Sequence, residues 1–97
     1  MNEIPTPKIS EILEKEFMKP LNLSAHALAK QIRVPTSRVQ DVLHSRRKIT
    51  VDISVRLGRI FGVSDRYFLN LQNDIDLRKA EKSNGDEYRL IKRYHPN

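Results

Sequence analysis

The sequence predicts an all-α fold of five helices with a short C-terminal extension. Apolar residues recur every three or four positions along most of the 97 residues, which is the period of an amphipathic helix. Strand-forming residues do not alternate with polar ones over any long run. The length suits a single domain, and an apolar content of 38% is enough for a small core.

Helix 1 is predicted over about residues 8–18, after an extended lead-in of residues 1–7. Pro7 suits the first turn of a helix, where its missing N–H is not needed. Pro20 is expected to stop the helix, because proline cannot continue the hydrogen-bonding pattern. The apolar stripe of this helix consists of Ile9, Ile12, Leu13 and Phe17.

Two short helices joined by a tight turn follow, within about residues 24–45. Ser24 is a suitable N-cap for helix 2, predicted over residues 25–32. Pro35 cannot continue that helix, so it fixes the start of helix 3, predicted over residues 36–45. This arrangement outlines a helix-turn-helix, whose second helix enters a groove of DNA. The apolar face of helix 2 consists of Leu28, Ala29 and Ile32.

Helix 3 has the side chains expected of a helix that reads DNA. At about 100° per residue, its apolar residues point inward and a polar face points outward. Serine, glutamine and arginine carry donors and acceptors suited to base edges. Asp41 either accepts a hydrogen bond from a cytosine or pairs with Arg38, and the ion pair is the expected arrangement. The inward residues are Val39, Val42 and Leu43, and the polar face with its borders comprises Ser37, Arg38, Gln40, Asp41 and His44.

The net charge of +6 is concentrated around this motif. Residues 30–48 contain six basic side chains and one acidic side chain, whereas residues 1–19 contain three lysines and four glutamates. The basic run after helix 3 would lie over the sugar-phosphate backbone, where contacts give affinity and register. His26 is either a phosphate contact or an ordinary exposed side chain. The candidate phosphate contacts in this region are His26, Lys30, Arg46, Arg47 and Lys48.

Helices 4 and 5 complete the predicted bundle. Thr50 is expected to cap helix 4, whose free N–H groups form a further candidate phosphate site. Gly62 ends helix 4, and Ser64 is the predicted N-cap of helix 5, over residues 65–81. A break at residues 83–86 leads into a tail whose pattern fits either a strand or a helical turn. The apolar face of helix 4 consists of Ile53, Leu57, Ile60 and Phe61.

Helix 5 has more apolar residues than one core contact requires. The surplus predicts a dimer surface, unless a second face packs under the tail. The predicted dimer residues are Tyr67, Leu69, Ile75 and Leu77. The chain thus divides into the lead-in (residues 1–7), a helix-turn-helix domain (residues 8–81) and a tail (residues 82–97), which is a flexible segment, a swapped arm or an extra DNA contact.

The composition argues against several classes of protein. There is no cysteine, so disulfides and thiolate metal sites are excluded. No apolar run approaches about 18 residues, and the N-terminus lacks the plan of a signal peptide, so we expect a cytoplasmic protein without membrane contact. The three histidines are scattered, and no paired carboxylates, glycine-rich loop or metal spacing is present. We therefore expect no enzymatic activity, metal, cofactor or small-molecule ligand.

Four segments within about residues 9–80 match one family pattern: Glu11-Ile12-Leu13, Val34-Pro35 with Arg38-Val39, Arg46-Arg47-Lys48-Ile49-Thr50, and Phe61-Gly62-Val63-Ser64 with Leu69-Asn70-Leu71-Gln72. On these segments the chain resembles the HigA antitoxins of the xenobiotic-response-element type. The motifs are specific as a set, although single pieces such as the basic loop are weak. The resemblance implies a five-helix bundle of the lambda-repressor-like helix-turn-helix type.

The resemblance also implies a function, that of the antitoxin of a type II toxin–antitoxin module. Such a protein blocks a HigB-like toxin, an mRNA-cleaving ribonuclease. As a homodimer it also binds double-stranded operator DNA and represses its own operon. Carried over to this chain, the base contacts are Thr36, Ser37, Arg38, Gln40 and Asp41. The corresponding backbone contacts are His44, Arg46, Arg47 and Lys48.

Two positions depart from the family pattern. Ser45 stands where a glycine usually ends the recognition helix, which leaves the bend of that loop open. Phe68 replaces the more usual tryptophan, a change that a core tolerates. The family places toxin contact in no short motif. Because a ribonuclease must attract RNA with a basic surface, we expect the acidic helix 1 to meet it. The candidate toxin contacts are Glu11, Glu14 and Glu16.

Two other non-enzymatic functions are consistent with the same fold. The first is a stand-alone transcriptional repressor without a toxin partner, which a neighbouring ribonuclease-like gene would distinguish from an antitoxin. The second is a protein-interaction module that no longer binds DNA. Six basic residues against one acidic residue across residues 30–48 argue against the second.

Overall fold

The computed structural model describes residues 6–96, and the all-α prediction is confirmed for them. Most of the lead-in, residues 1–5, lies outside the described residues, as does Asn97. The first α-helix continues through a π-helical segment (Leu13–Met18) and a 3₁₀ turn (Lys19–Leu21). The α-helices are α1 (Ile9–Ile12), α2 (Ala25–Ile32), α3 (Thr36–Leu43), α4 (Val51–Phe61) and α5 (Tyr67–Arg89).

The first helix departs from α-helical geometry after Ile12. Because a π-helical turn is wider, Leu13 and Met18, five residues apart, are both buried. The π-helical segment ends at Met18, the residue predicted to end helix 1, and the 3₁₀ turn that follows contains Pro20. The chain leaves this turn at Asn22, whose left-handed φ of 53° redirects it toward α2.

The core lies between the helices of the bundle and includes the predicted inward faces of the first four helices. Phe68 of α5 is fully buried, and its ring centroid lies 4.9 Å from that of Phe17. Phe17 is only partly buried and also packs against Phe61 and Tyr67. The buried apolar residues are Ile9, Leu13, Met18, Leu28, Ala29, Ile32, Val39, Val42, Ile49, Ile53, Leu57, Phe68 and Ile75.

The junction between α4 and α5 is held by a buried serine. Ser54 donates a hydrogen bond to the carbonyl oxygen of Asp65 at 2.6 Å and accepts one from the N–H of Leu69 at 3.1 Å. Gly58 also lies against this junction, because a Cβ there would come within 2.7 Å of the Ser64 carbonyl oxygen. These contacts let α4 approach the start of α5 closely.

The predicted start of helix 5 was two residues too early. α5 begins at Tyr67, and Arg66 occupies the N-cap position without a side-chain cap. Ser64 instead accepts the Arg66 N–H on its hydroxyl and the Tyr67 N–H on its carbonyl oxygen. Ser64 therefore organises the turn before the helix and is not its N-cap.

The predicted break at residues 83–86 is a kink inside α5. Asn84 has non-helical angles (φ −132°, ψ 15°), and helical structure resumes and continues to Arg89. Gly85 beside it is buried, close to the Glu81 side chain. Residues 91–96 have no regular secondary structure, so the strand alternative for the tail is wrong for the described residues. None of the helices in residues 6–96 has the length and apolar character needed to cross a membrane.

Candidate nucleic-acid interface

The turn between α2 and α3 is held by Ser24, which the sequence predicted as an N-cap, and by Arg56, which the sequence did not indicate. Ser24 caps α2 by accepting the Ala27 N–H at 3.1 Å, and Arg33 ends the helix with a left-handed φ of 65°. Arg56 of α4 donates to the carbonyl oxygen of Ile32 at 2.8 Å. A guanidinium group at this helix end satisfies a free carbonyl and favours the helix dipole.

The polar face of α3 is accessible to a ligand. Val39 and Val42 are buried, as predicted, and Leu43 is partly buried. The helix ends at Leu43 and not at Ser45, because residues 44 and 45 form a turn. The side chains toward solvent are the exposed Ser37 and His44 and the half-buried Thr36, Arg38, Gln40 and Asp41.

Two histidines make contacts through Nδ1 that hold parts of this face in place. The Nδ1 atom of His26 lies 3.2 Å from the Thr36 hydroxyl, which ties the start of α2 to the start of α3. The Nδ1 atom of His44 lies 2.9 Å from the carbonyl oxygen of Gln40. Both rings are exposed. Each histidine thus holds its position through Nδ1.

The prediction that Arg38 forms an ion pair with Asp41 is wrong. The Asp41 carboxylate pairs with Arg46 at 2.9 Å and with Arg47 at 3.4 Å. The carbonyl oxygen of Asp41 also accepts the backbone N–H groups of Arg46 (2.7 Å) and Arg47 (3.1 Å). No hydrogen bond or ion pair within residues 6–96 involves the Arg38 side chain. The loop after α3 folds back on the helix, which brings these arginines closer to Asp41 than sequence spacing indicates.

Ser45 makes this fold-back possible. Its φ is 59°, in the left-handed region that glycine favours, and its hydroxyl lies 3.4 Å from that of Ser10. Serine therefore adopts a bend for which glycine is better suited. Ser45, the position at which the sequence did not determine the bend, therefore carries backbone strain.

The side chains of Lys48 and Thr50 both make contacts within the protomer. Lys48 pairs with Asp76 of α5 at 3.0 Å, and Gln72 donates to the other oxygen of Asp76 at 3.2 Å. The buried Gln72 also accepts the Ile49 N–H at 3.5 Å, so α5 supports the loop from behind. Thr50 caps α4, as predicted, by accepting the Ile53 N–H at 3.2 Å.

Sequence reasoning missed Arg56, Gln72 and Asp76. Gln72 and Asp76 are four residues apart on α5, which places them on one face, but their partners lie more than twenty residues away. No local pattern links Gln72 or Asp76 to the loop after α3. The only sequence signal was a polar pair inside an otherwise apolar stripe of helix 5.

The predicted dimer residues separate into buried and accessible ones. Ile75 is 4% exposed in the core, so its inclusion in a dimer surface was wrong. Leu77 is 67% exposed and Tyr67 is 40% exposed, whereas Leu69 is half-buried. Further apolar exposure lies beyond the kink, at Tyr88, Leu90, Ile91 and Tyr94.

The predicted toxin-contact residues lie on the exposed face of the first helix. Glu11, Glu14 and Glu16 are all exposed. Glu11 makes a loose ion pair with Lys15 at 3.8 Å. An exposed pair of this kind contributes little to stability, so these carboxylates remain available to a partner.

Comparison with known proteins places this geometry in a family. A helix-turn-helix family profile matches residues 15–68. The chain is 44% identical over 81 residues to virulence-associated protein I of Dichelobacter nodosus, covering 84% of this chain and 75% of that protein.

Two solved structures of DNA complexes are similar to this fold. The antitoxin HigA of Pseudomonas aeruginosa with its higBA promoter superposes with a TM-score of 0.82 at 32% identity, covering 94% of this chain and all of that one. The antitoxin GraA in complex with its operator gives a TM-score of 0.82 at 34% identity, covering 99% of this chain and 98% of that one.

Proposed function

Because this chain belongs to the HigA group of the helix-turn-helix family, we propose that it is the antitoxin of a type II toxin–antitoxin module. In this role it binds operator DNA as a homodimer, represses its own operon and neutralises a HigB-like mRNA-cleaving toxin. The observation that best supports this proposal is the accessible polar face of α3, which lies beside a basic loop held in place by the ion pairs of Asp41. Such DNA binding takes place in the cytoplasm.

The exposed face of α3 enters the major groove in this proposal. Thr36, Ser37, Arg38 and Gln40 contact base edges, because their side chains supply donors and acceptors at the groove surface. Asp41 contributes by positioning the loop, since both its carboxylate and its carbonyl oxygen are engaged there. The backbone contacts are His26, Lys30, His44, Arg46, Arg47, Lys48 and Thr50.

Fluorescence anisotropy tests operator binding. DNA from immediately upstream of the operon is titrated against a scrambled duplex of equal length at physiological salt. We expect the upstream DNA to bind about a thousandfold or more tightly. Affinity should also fall steeply with salt, because each neutralised phosphate releases counterions. Equal, weak binding to both duplexes would rule out autorepression.

Toxin binding is proposed for the acidic face of the first helix. Glu11, Glu14 and Glu16 are exposed and carry the sign that a basic, RNA-binding surface attracts. Calorimetry with a HigB-like toxin should show weaker binding for the Glu11→Lys/Glu14→Lys variant than for Glu87→Lys, a charge reversal at an exposed position of α5. Unchanged affinity in the double variant would remove this surface from the proposal.

The homodimer is proposed to form through the accessible apolar residues of α5. Leu77 is 67% exposed on this helix, and Tyr67 is 40% exposed although its ring packs against Phe17. Sedimentation velocity should show a dimer that Leu77→Glu weakens. A variant that sediments like the unchanged chain would locate the dimer contact elsewhere.

A further inference from the structure

A basic cleft lies beside the loop that follows α3. It has a volume of about 320 Å³ and is bounded by the start of α1, by the loop and by α5. Asp76 is the single acidic residue of its lining. The basic residues of its lining are Lys8, Arg46, Arg47, Lys48 and Lys79.

The cations of this cleft differ in whether a carboxylate already neutralises them. Arg46 and Arg47 pair with Asp41, and Lys48 pairs with Asp76. The side chains of Lys8 and Lys79 make no ion pair or hydrogen bond within the described part of the chain, and both residues are exposed. These two lysines therefore supply the uncompensated positive charge of the cleft.

The core brings these two lysines to one edge of the molecule, although 71 positions separate them in the sequence. Lys8 immediately precedes Ile9, and Lys79 follows Ile75 by one helical turn. Ile9 and Ile75 are buried at 8% and 4% exposure, and both line the same cleft. Burial of these isoleucines fixes the lysines next to the basic loop.

We propose that Lys8 and Lys79 bind phosphates of the DNA backbone that flank the segment contacted by α3. The inference rests on the proposed DNA binding, and it extends the contacted surface past the helix-turn-helix. The cleft shares Arg46, Arg47 and Lys48 with the loop, so the two surfaces are continuous. Unpaired lysines break no ion pair when they meet a phosphate, and each releases counterions from the DNA.

The test uses the full chain and two operator duplexes. One duplex ends at the outer edges of the half-sites, and the other extends by one helical turn, about 10 base pairs, on each side. The Lys8→Gln/Lys79→Gln variant is compared with Lys15→Gln/Arg66→Gln. The control removes the same charge from the first helix and from the turn before α5, at exposed positions outside the cleft.

The expected difference is in salt dependence. Each phosphate contact contributes about −0.9 to the slope of log K against log salt, so the two lysines contribute about −1.8. From about 50 to about 200 mM salt, the unchanged chain should then lose about 12-fold more affinity for the long duplex than Lys8→Gln/Lys79→Gln does. The control variant should keep the slope of the unchanged chain, and the short duplex should remove the difference.

Two results would count against the proposal in different ways. If the unchanged chain does not prefer its operator to scrambled DNA, the proposed function fails, and this inference fails with it. If operator preference is intact but both double variants show the same slope on the long duplex, the flanking contact alone is overturned.

Discussion

Asp41 and Arg46 are joined twice at the end of α3. Arg46 Nε donates to the Asp41 carboxylate at 2.9 Å, and the Arg46 backbone N–H donates to the Asp41 carbonyl oxygen at 2.7 Å. The same carboxylate lies 3.4 Å from Arg47 Nε. One acidic residue therefore sets the path of the loop and offsets part of its positive charge.

Asp41→Asn should strengthen binding to unrelated DNA and lower the preference for the operator. The carboxamide keeps the size of the side chain and the carbonyl contacts but leaves Arg46 and Arg47 uncompensated. One more net positive charge at the interface should steepen the salt slope by about 0.9. Anisotropy with operator and scrambled duplexes measures both effects.

Asp86→Asn is the matched control for Asp41→Asn, because it removes one exposed carboxylate beyond the kink in α5. It should change neither the slope nor the preference. An identical gain in both variants would show that overall charge, and not the contact with the loop, determines the effect.

Arg38→Ala should weaken operator binding by about 1–3 kcal/mol and relax base preference at one position. The Arg38 side chain has no ion pair within residues 6–96, so it is free to turn toward a base edge. Arg47→Ala should weaken operator and scrambled DNA alike, since a phosphate contact carries no sequence information. Equal losses on the two duplexes for Arg38→Ala would identify it as another backbone contact.

Ser45→Gly should stabilise the protein by about 0.5–1 kcal/mol. A left-handed conformation costs a serine about 1–2 kcal/mol, and the greater freedom of glycine in the unfolded chain offsets part of the gain. The hydroxyl contact with Ser10, at 3.4 Å, is too long to contribute much. Urea unfolding followed by circular dichroism measures the change.

Ser37→Gly provides the opposite expectation for the same substitution. Ser37 is exposed inside α3, where glycine lowers helix stability, so the variant should be destabilised by up to about 1 kcal/mol. If both glycine variants lose stability, the left-handed φ of Ser45 does not destabilise the protein, and the prediction for Ser45→Gly is wrong.

Local signals predicted the helix-turn-helix well. Ser24 and Pro35 act within one turn of their own positions, so the bounds of α2 (Ala25–Ile32) and the start of α3 followed directly from the sequence. Asn84 and Gly85 were misleading, because an established helix absorbs one non-helical residue as a kink when helical hydrogen bonds continue on both sides.

The contacts that shape the interface were not predictable in the same way. Asp41 meets Arg46 only because Ser45 turns the chain back, and sequence offered the nearer Arg38 as the partner. Lys48 meets Asp76 across 28 positions, after the core has placed α5 behind the loop. Such pairs depend on packing, so sequence identified the basic residues of the site without their neutralising partners.

Asp65→Asn should reduce stability at neutral pH but have no effect in acid. Hydrogen bonds from Arg59, at 2.8 and 3.0 Å, and its charge lower the pKa of the Asp65 carboxyl below its ordinary value of 3.8, against an opposing effect of desolvation. The contribution of a carboxyl with a lowered pKa is complete above its unfolded value and disappears as pH falls through the folded value. The unfolding free energies of this variant and of the unchanged chain should therefore differ at neutral pH and converge at pH values below 3.8.

Asp74→Asn, at an exposed position of α5 without a described partner, should show no such pH-dependent difference from the unchanged chain. A constant difference at every pH would mean that the carboxamide perturbs the junction with Ser54 and not the ion pair.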